Sequence, residues 1–328
     1  MADTILVVGE VAEGALVTIS AEMLGAARRL AEGSGQSVAC VLMGAGVEGV
    51  AKDAAAFGAD EVFLVDDAAL EEYNGDVYLQ AMLKVAEQVS PASILFGQTN
   101  LGRDLAPRLA FRLSTGVVMD CVELALEGDR LVATRPAYGG NARAVNIVRS
   151  NPQIVTVRAK SQDPLPRDDS RQAQTTKIDA AIDTSAVRLK VTERKGAASE
   201  GVRLEDADVV VSGGRGLGGP ENFAVIEELA GALGAAVGAS RAVCDLEWRP
   251  VSEQVGLTGK VVSPTLYIAI AISGASQHMA GCSGAKNIVA INKDGDANIF
   301  KSARFGIVED YAKVMPALIE AVKKEKGS

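Results

Sequence analysis

Short apolar runs alternate with longer amphipathic stretches along the first third of the chain. Thr4–Val8, Val38–Met43, Glu61–Val65 and Ser93–Phe96 are of strand length and largely apolar. Ser20–Glu32, Val47–Phe57, Val77–Val89 and Gly102–Leu113 follow them in turn and space their apolar residues as one face of a helix. Strands that are apolar on both sides are covered on both faces, and regular strand–helix alternation makes neighbours parallel. The pattern predicts a doubly wound parallel sheet. The rhythm then changes. Val117–Leu126, Arg130–Pro136, Ala142–Val148 and Gln153–Val157 are strand-like runs separated by turn residues, among them Glu127-Gly128-Asp129 and Ser150-Asn151-Pro152. They predict an antiparallel extension of the first sheet.

Residues 161–176 are polar, hold two prolines and predict a surface arm. Val187–Thr192 predicts one more strand. Glu193–Gly201 is charged and poor in apolar residues, as expected of a hinge between domains. Beyond it the strand–helix pattern returns. Asp208–Val211, Ala235–Gly238, Thr265–Ile272, Asn287–Ile291 and Phe305–Val308 predict strands, and Glu221–Leu233 and Tyr311–Lys324 predict helices. The expected architecture is α/β with two domains, residues 1–195 and 196–328. A length of 328 residues suits that number at roughly 100–200 residues per domain.

Charge and cysteine content narrow the classes of function. The net charge of −9 and the lack of a Lys/Arg stripe argue against a nucleic-acid partner. The run Lys323-Lys324-Glu325-Lys326 reads as the cationic end of a helix. Cys40, Cys121, Cys244 and Cys282 include no CxxC pair, so small buried packing roles are expected, with neither metal nor disulfide. The longest apolar run, near Tyr267–Ile272, is far short of the ~20 residues that span a bilayer. Thr4–Val8 reads at once as a buried strand, with no leader before it, and a cytoplasmic protein is expected.

The chemistry gathers at the strand ends of the second domain. In an open parallel sheet, ligands bind outside the carboxyl ends of the strands. Those ends read Ser212-Gly213-Gly214-Arg215-Gly216, then Ser240-Arg241, then Ser273-Gly274-Ala275-Ser276-Gln277-His278, then Asn292-Lys293-Asp294, then Glu309-Asp310. Together they resemble a nucleotide cradle: glycines allow close approach, and a helix starting near Ala275 would aim N–H groups at a phosphate. Gly214–Gly219 also fits GxGxxG, but the following strand ends in Ser240-Arg241 where an NAD site places an acid. An NADP variant using Arg241 stays open. His278 is the sole histidine and has no neighbouring acid in sequence, which leaves hydrolase chemistry unsupported. Simpler readings stand beside these: a surface ion pair for Arg241, a turn hydroxyl for Thr258, strand-end capping for Ser240 and Ser273, and a packed loop for Trp248. In the first domain, Gly97–Asp104 reads as a helix start capped by Asn100.

An ordered set of segments resembles the α subunit of electron-transfer flavoproteins. They are Val210–Leu217, Val237–Ala242, Val255–Lys260, Pro264–Ala269, Ile272–His278 and Ile288–Asp294. The resemblance implies a Rossmann-like C-terminal domain holding FAD and a β subunit that completes the particle. It implies an electron carrier rather than an enzyme in its own right. The expected donors are acyl-CoA or other flavin dehydrogenases, and the expected acceptor a quinone reductase. Some members instead bifurcate electrons from NADH. The resemblance further implies that Arg241 lies over the isoalloxazine and that Thr258 reaches the edge near N5. Gln277 and His278 would serve the N1/C2 carbonyl side, Ser240, Ser273 and Gly259 the phosphates, and Asn292 and Asp310 the adenosine. Gly214, Arg215, Gly274 and Ser276 complete the expected binding set. Two positions depart from the family pattern: Leu257 stands where many members have Gln, and Ala271 where Gly is common. The alternatives are an NAD(P)-dependent oxidoreductase using Gly214–Gly219 and a nucleotide-binding regulatory module.

Overall fold

The computed structural model describes residues 4–140, 142–189, 191–192 and 203–327. The chain divides into two compact units, the first formed mainly by Met1–Ala137 and Ala142–Arg194, the second mainly by Lys195–Ser328. The proposed hinge at Glu193–Gly201 and the boundary at 195/196 lie outside the described residues.

The first unit opens with β1 (Thr4–Gly9), the small hairpin β2 (Val11–Ala12) and β3 (Ala15–Leu16), and α1 (Thr18–Ser34). Next come β4 (Ser37–Gly44), α2 (Ala51–Ala56), β5 (Glu61–Asp66), α3 (Gly75–Val89), β6 (Ser93–Gly97) and α4 (Asn100–Arg112). These sit where the periodicity predicts them, and strand alternation explains the two-sided core. Ile5 and Val7 of β1 point to the face packed by Met23, Leu24 and Ala27 of α1. Leu6 and Val8 point to the opposite face, against Val77, Ala81 and Met82 of α3 and Leu105 and Leu109 of α4. The cap of α4 differs from expectation. Thr99 accepts from the Gly102 amide at 3.1 Å, so Thr99 is the cap and Asn100 the first helical residue.

Val117–Leu126 is two strands, β7 (Val117–Cys121) and β8 (Glu123–Glu127), followed by β9 (Arg130–Ala137), β10 (Ala142–Ile147), β11 (Gln153–Val157) and β12 (Gln174–Lys177). The main sheet has the order β12-β5-β4-β1-β6-β11-β7, and all its pairs are parallel. The antiparallel extension is a separate three-stranded sheet, β10-β9-β8. Gln153–Val157 does not belong to it and lies between β6 and β7 in the parallel sheet. Two further differences lie at the end of the unit. The polar arm closes on an edge strand, β12, paired with β5. Val187–Thr192 forms no strand over its described residues, and Leu189 and Val191 stand exposed.

The second unit contains β13 (Val209–Gly213), α5 (Phe223–Leu233), β14 (Ala236–Ser240), α6 (Arg241–Asp245), β15 (Gln254–Val255), β16 (Leu266–Ile270), α7 (Ser276–Cys282), β17 (Asn287–Asn292), β18 (Phe305–Val308) and α8 (Tyr311–Lys326). Its sheet is wholly parallel, in the order β15-β14-β13-β16-β17-β18. Numbered within the unit that is 3-2-1-4-5-6, the order of a doubly wound dinucleotide-binding sheet. Val211, Ile268 and Ile270 face Phe223, Ile226, Met315 and Ile319 of α5 and α8. Val210, Tyr267 and Ala269 face Met279 and Cys282 of α7. The last turn of α8 carries Lys323, Lys324 and Lys326, and Lys326 Nζ donates to the Leu233 carbonyl at 2.8 Å. All four cysteines are free and buried.

Candidate functional site

The order of strands in the second unit reverses between β13 and β16. Chains leaving those two strands turn to opposite faces and open a crevice at their carboxyl ends. A cleft of ≈ 650 Å³ lies there, within the roughly 300–1,000 Å³ of small-molecule sites.

The glycine loop after β13 forms one wall. The Gly214 amide donates to the Ile270 carbonyl of β16 at 2.9 Å. A Cβ on Gly214 would collide with the Ala271 carbonyl, so only glycine lets the two strand ends approach this closely. The loop runs on into two 3₁₀ turns, Arg215–Leu217 and Pro220–Asn222, before α5 begins at Phe223. A dinucleotide fingerprint would place its glycines directly at the helix start, so the GxGxxG match here is formal only. Ala271 adopts φ 55°, a left-handed conformation that costs an L-residue about 1–2 kcal/mol. Glycine would adopt this conformation without that cost.

The second wall is the turn Gly256–Gly259 together with β15, a strand too short for sequence periodicity to reveal. Gln254 is buried and its Nε2 donates to Thr258 Oγ1 at 3.0 Å. The Leu257 amide donates to the Gln277 carbonyl at 2.8 Å, which ties this turn to the start of α7. Leu257 itself is exposed beside the cleft. Arg241 opens α6 and pairs with Asp245 at 3.3 Å, with most of its side chain exposed.

His278 forms the floor. It is 7% exposed, and its Nε2 lies 2.9 Å from the hydroxyl of Tyr267, which is wholly buried. Burial pushes the imidazole pKa down to about 4, with the Val255 backbone opposing in part. The ring is therefore neutral at physiological pH. Nδ1 is buried and makes no hydrogen bond of regular geometry. The Val255 backbone is the ring's other polar neighbour, and the side chain lines the cleft.

The structure brings most of the sequence-derived residues together. Gly214, Arg215, Ser240, Arg241, Thr258, Ser273, Gln277, His278 and Asn292 all line the cleft. Gly259, Gly274 and Ser276 are not among the lining residues. Gly274 has φ 79° and packs against the Ile299 amide, with no room for a side chain. Ser276 Oγ donates to Gln277 Oε1 at 3.3 Å. Asn292 is tied at both ends of its amide, donating to the Ile272 carbonyl and accepting from the Asp294 amide. Asp310 lies apart from the lining, where its carboxylate caps α8 by accepting from the Ala312 amide at 2.9 Å. Sequence reasoning missed Gln254, Gly256, Asp245 and Asp294 as lining residues. For Gln254 the available signal was its position four residues before Thr258 in a buried stretch. Among the described residues no cluster of His, Cys, Asp and Glu has the geometry of a metal site. No helix among them is long and apolar enough to cross a membrane.

Both units match known families. Residues 5–183 match the electron transfer flavoprotein domain, and residues 203–283 match the electron transfer flavoprotein FAD-binding domain. An electron transfer flavoprotein subunit alpha of Thermoanaerobacterium thermosaccharolyticum is 48% identical over 324 residues, 98% of each chain. The subunit of the same name from Megasphaera elsdenii is 44% identical over 98% of this chain and 97% of its own. That of Bacillus subtilis is 41% identical over 99% and 98%. The chain belongs to the electron-transfer flavoprotein α-subunit family.

Proposed function

We propose that the second unit holds FAD in the cleft between the β13 and β16 ends and that the chain serves as the electron-carrying α subunit of a two-subunit flavoprotein. The observation that carries this reading is the join of a glycine-lined wall at the strand-order reversal with the buried, neutral ring of His278 on its floor. Such a floor suits a ligand with a polar, electron-accepting edge.

The flavin supplies the redox chemistry, and the protein supplies position and electrostatics. Reduction places negative charge on the N1 and O2 edge of the ring. A preorganised donor or cation there stabilises that charge. His278 is neutral and offers a hydrogen bond from a desolvated position, where such a bond is strongest. Arg241 brings the positive charge at the cleft wall. Thr258 already accepts a hydrogen bond from Gln254, so its own hydroxyl proton would be free to donate at the N5 edge. Gly214, Gly259 and Gly274, which allow the close backbone packing around the cleft, would leave room for the pyrophosphate. Arg215, Ser240, Ser273, Ser276 and Gln277 surround it and the ring, with Asn292 and Asp310 toward the adenosine. None of these groups performs acid–base catalysis; they hold the cofactor and tune its potential.

A β subunit completes the particle. Acyl-CoA or other flavin dehydrogenases are the proposed donors, a quinone reductase the proposed acceptor, and the cytoplasm the proposed compartment. The test is to purify the chain with its β partner and measure the flavin content and midpoint potentials. A yellow heterodimer whose FAD is lost on disrupting Gly214 supports the reading. A second FAD per heterodimer would assign it to the bifurcating kind. A colourless heterodimer that takes up no added FAD would overturn it.

A further inference from the structure

Thr258 is an exposed residue on an ordered turn at the cleft wall, and one buried neighbour holds its hydroxyl. That neighbour, Gln254, stands in β15, which pairs with β14 through Ala239–Gln254 and Ser240–Val255 and so ends beside the cleft. Gln254 is 5% exposed, and its Nε2 donates to Thr258 Oγ1 at 3.0 Å. We infer that Gln254 is a positioning residue that fixes the Thr258 hydroxyl at the cleft wall and through it tunes the one-electron potential of the cofactor. This rests on the reading of the cleft as an FAD site.

The turn closes without that side-chain bond. The Gln254 carbonyl accepts from the Lys260 amide at 2.6 Å, the Gly256 amide donates to the Lys260 carbonyl at 3.1 Å, and the Gly259 amide donates to the Gly256 carbonyl at 3.1 Å. Gly259 lies so close on Gln254 that a Cβ there would strike the Gln254 carbonyl and come within 2.9 Å of its side chain. On the other side the Leu257 amide donates to the Gln277 carbonyl at 2.8 Å. Main-chain bonds therefore hold the backbone on both sides of Thr258, and the Gln254 amide is left to hold the side chain. A threonine on an exposed turn has three staggered χ1 wells open to it, and a hydrogen bond to a rigid partner selects among them. Gln254 is such a partner, since its stem is packed under Gly259 and its backbone belongs to the sheet. Among the described residues it is the one hydrogen-bond partner of the Thr258 hydroxyl. A buried amide has to be paired, and this one is paired to a side chain exposed in a cleft of ligand size. A ligand filling the cleft would shield the bond from water and strengthen it.

The test is a double-mutant cycle on the α chain assembled with its β subunit and FAD. Wild type, Gln254→Met, Thr258→Val and the double variant are compared, and the potential of the first electron is read from visible spectra during stepwise reduction. Thr258→Val should shift the equilibrium for the first electron about tenfold against reduction, the weight of one hydrogen bond, or about 59 mV. Gln254→Met is close in volume but cannot hold the hydroxyl, and should shift it about threefold in the same direction. In the Thr258→Val background the same change should add nothing, because the group through which Gln254 acts is gone. Gln254→Glu serves if the methionine variant folds poorly. Its carboxylate would draw the Thr258 proton to itself, so it should lower the potential more when Thr258 is present than when valine replaces it. Equal shifts in the two backgrounds would overturn the inference. So would a Gln254 variant that lowers the urea stability of the second unit and leaves the potential in place. If the wild-type heterodimer takes up no FAD, the cofactor reading has failed, whereas bound FAD with no coupling in the cycle fails this inference alone.

Discussion

Acid should weaken the second unit through His278, and by an amount the structure sets. The imidazole is held neutral by burial, with its pKa moved from 6.5 to about 4. In the unfolded chain it titrates normally. Above pH 6.5 both states are neutral and the group contributes nothing to the pH dependence. As pH falls from 6.5 to about 4 the unfolded chain takes up a proton that the folded chain refuses, so stability is lost through that window. At 1.36 kcal/mol per pH unit the full loss comes to about 3 kcal/mol. Below about pH 4 both states are protonated and the loss is complete.

Two carboxyl groups of the first unit act in the opposite sense. Burial raises both Glu10 and Glu22 to about 7, so folding takes up protons there as pH falls. A single pH profile would mix these contributions. The difference between wild type and His278→Asn isolates the imidazole, since everything else titrates alike in both. The assay is urea unfolding of the FAD-free chain at several pH values, followed by the fluorescence of Trp248. This is the only tryptophan in the chain, and it packs against the core of the second unit. The stability difference between the two proteins should change by about 1.4 kcal/mol per pH unit between pH 6 and 4.5, against the wild type. A difference that stays constant through that range would show that the folded imidazole titrates normally. The argument for a neutral donor beneath the cofactor would then fail.

Ala271→Gly should raise stability by about 0.5–1 kcal/mol, because relief of the φ 55° conformation exceeds the extra chain entropy of glycine; a lowered urea midpoint would refute it. Gly214→Ala should release FAD from the heterodimer and destabilise the second unit, since its Cβ meets the Ala271 carbonyl; the measurements are the flavin absorbance retained after gel filtration and the Trp248 transition. Glu10→Gln should stabilise the first unit by about 1–2 kcal/mol at pH 8 and by almost nothing at pH 4. The amide can still accept from Thr99, which donates to Glu10 at 2.6 Å, without bearing the buried charge. Urea unfolding by circular dichroism at the two pH values checks it, and an equal effect at both would refute it.

The fold was legible wherever the core reached. Every strand that is apolar on both sides, and each helix of the first unit from Ser20 to Leu113, registers in the pattern because both faces of the sheet are covered. Gln153–Val157 was misplaced because Gln153 and Thr156 interrupt its apolar run, although both are buried in the structure. That strand is buried at all five positions, whereas Glu123–Glu127 and Ala142–Ile147 alternate between half-buried and exposed residues. A continuous apolar run belongs in a sheet covered on both faces, and an alternating one in a sheet with a solvent side. The edge strand Gln174–Lys177 is exposed at all four positions and leaves no apolar trace to read. Val187, Leu189 and Val191 alternate convincingly but have no neighbouring strand among the described residues, so periodicity alone predicted a strand that the described residues do not form.

The site divides along a similar line. Its glycines and strand-end donors were readable because a parallel sheet fixes where its loops converge, and one rule about carboxyl ends then selects them. Asp310 satisfied the rule and caps α8 as well, since an acid at a strand end is also the preferred cap of the helix that follows. Tyr267 escaped for the opposite reason. In sequence it is an aromatic residue in the middle of an apolar strand, indistinguishable from packing, and only the approach of α7 shows that its hydroxyl ends against the histidine. Residues that touch a ligand announce themselves by polarity at a strand end. Residues that orient them are chosen to be buried, and they carry the sequence signature of a core. The polar group within such a core cannot go unpaired without cost, so the Tyr267 hydroxyl, paired with His278, marks an interaction that the fold was built to make.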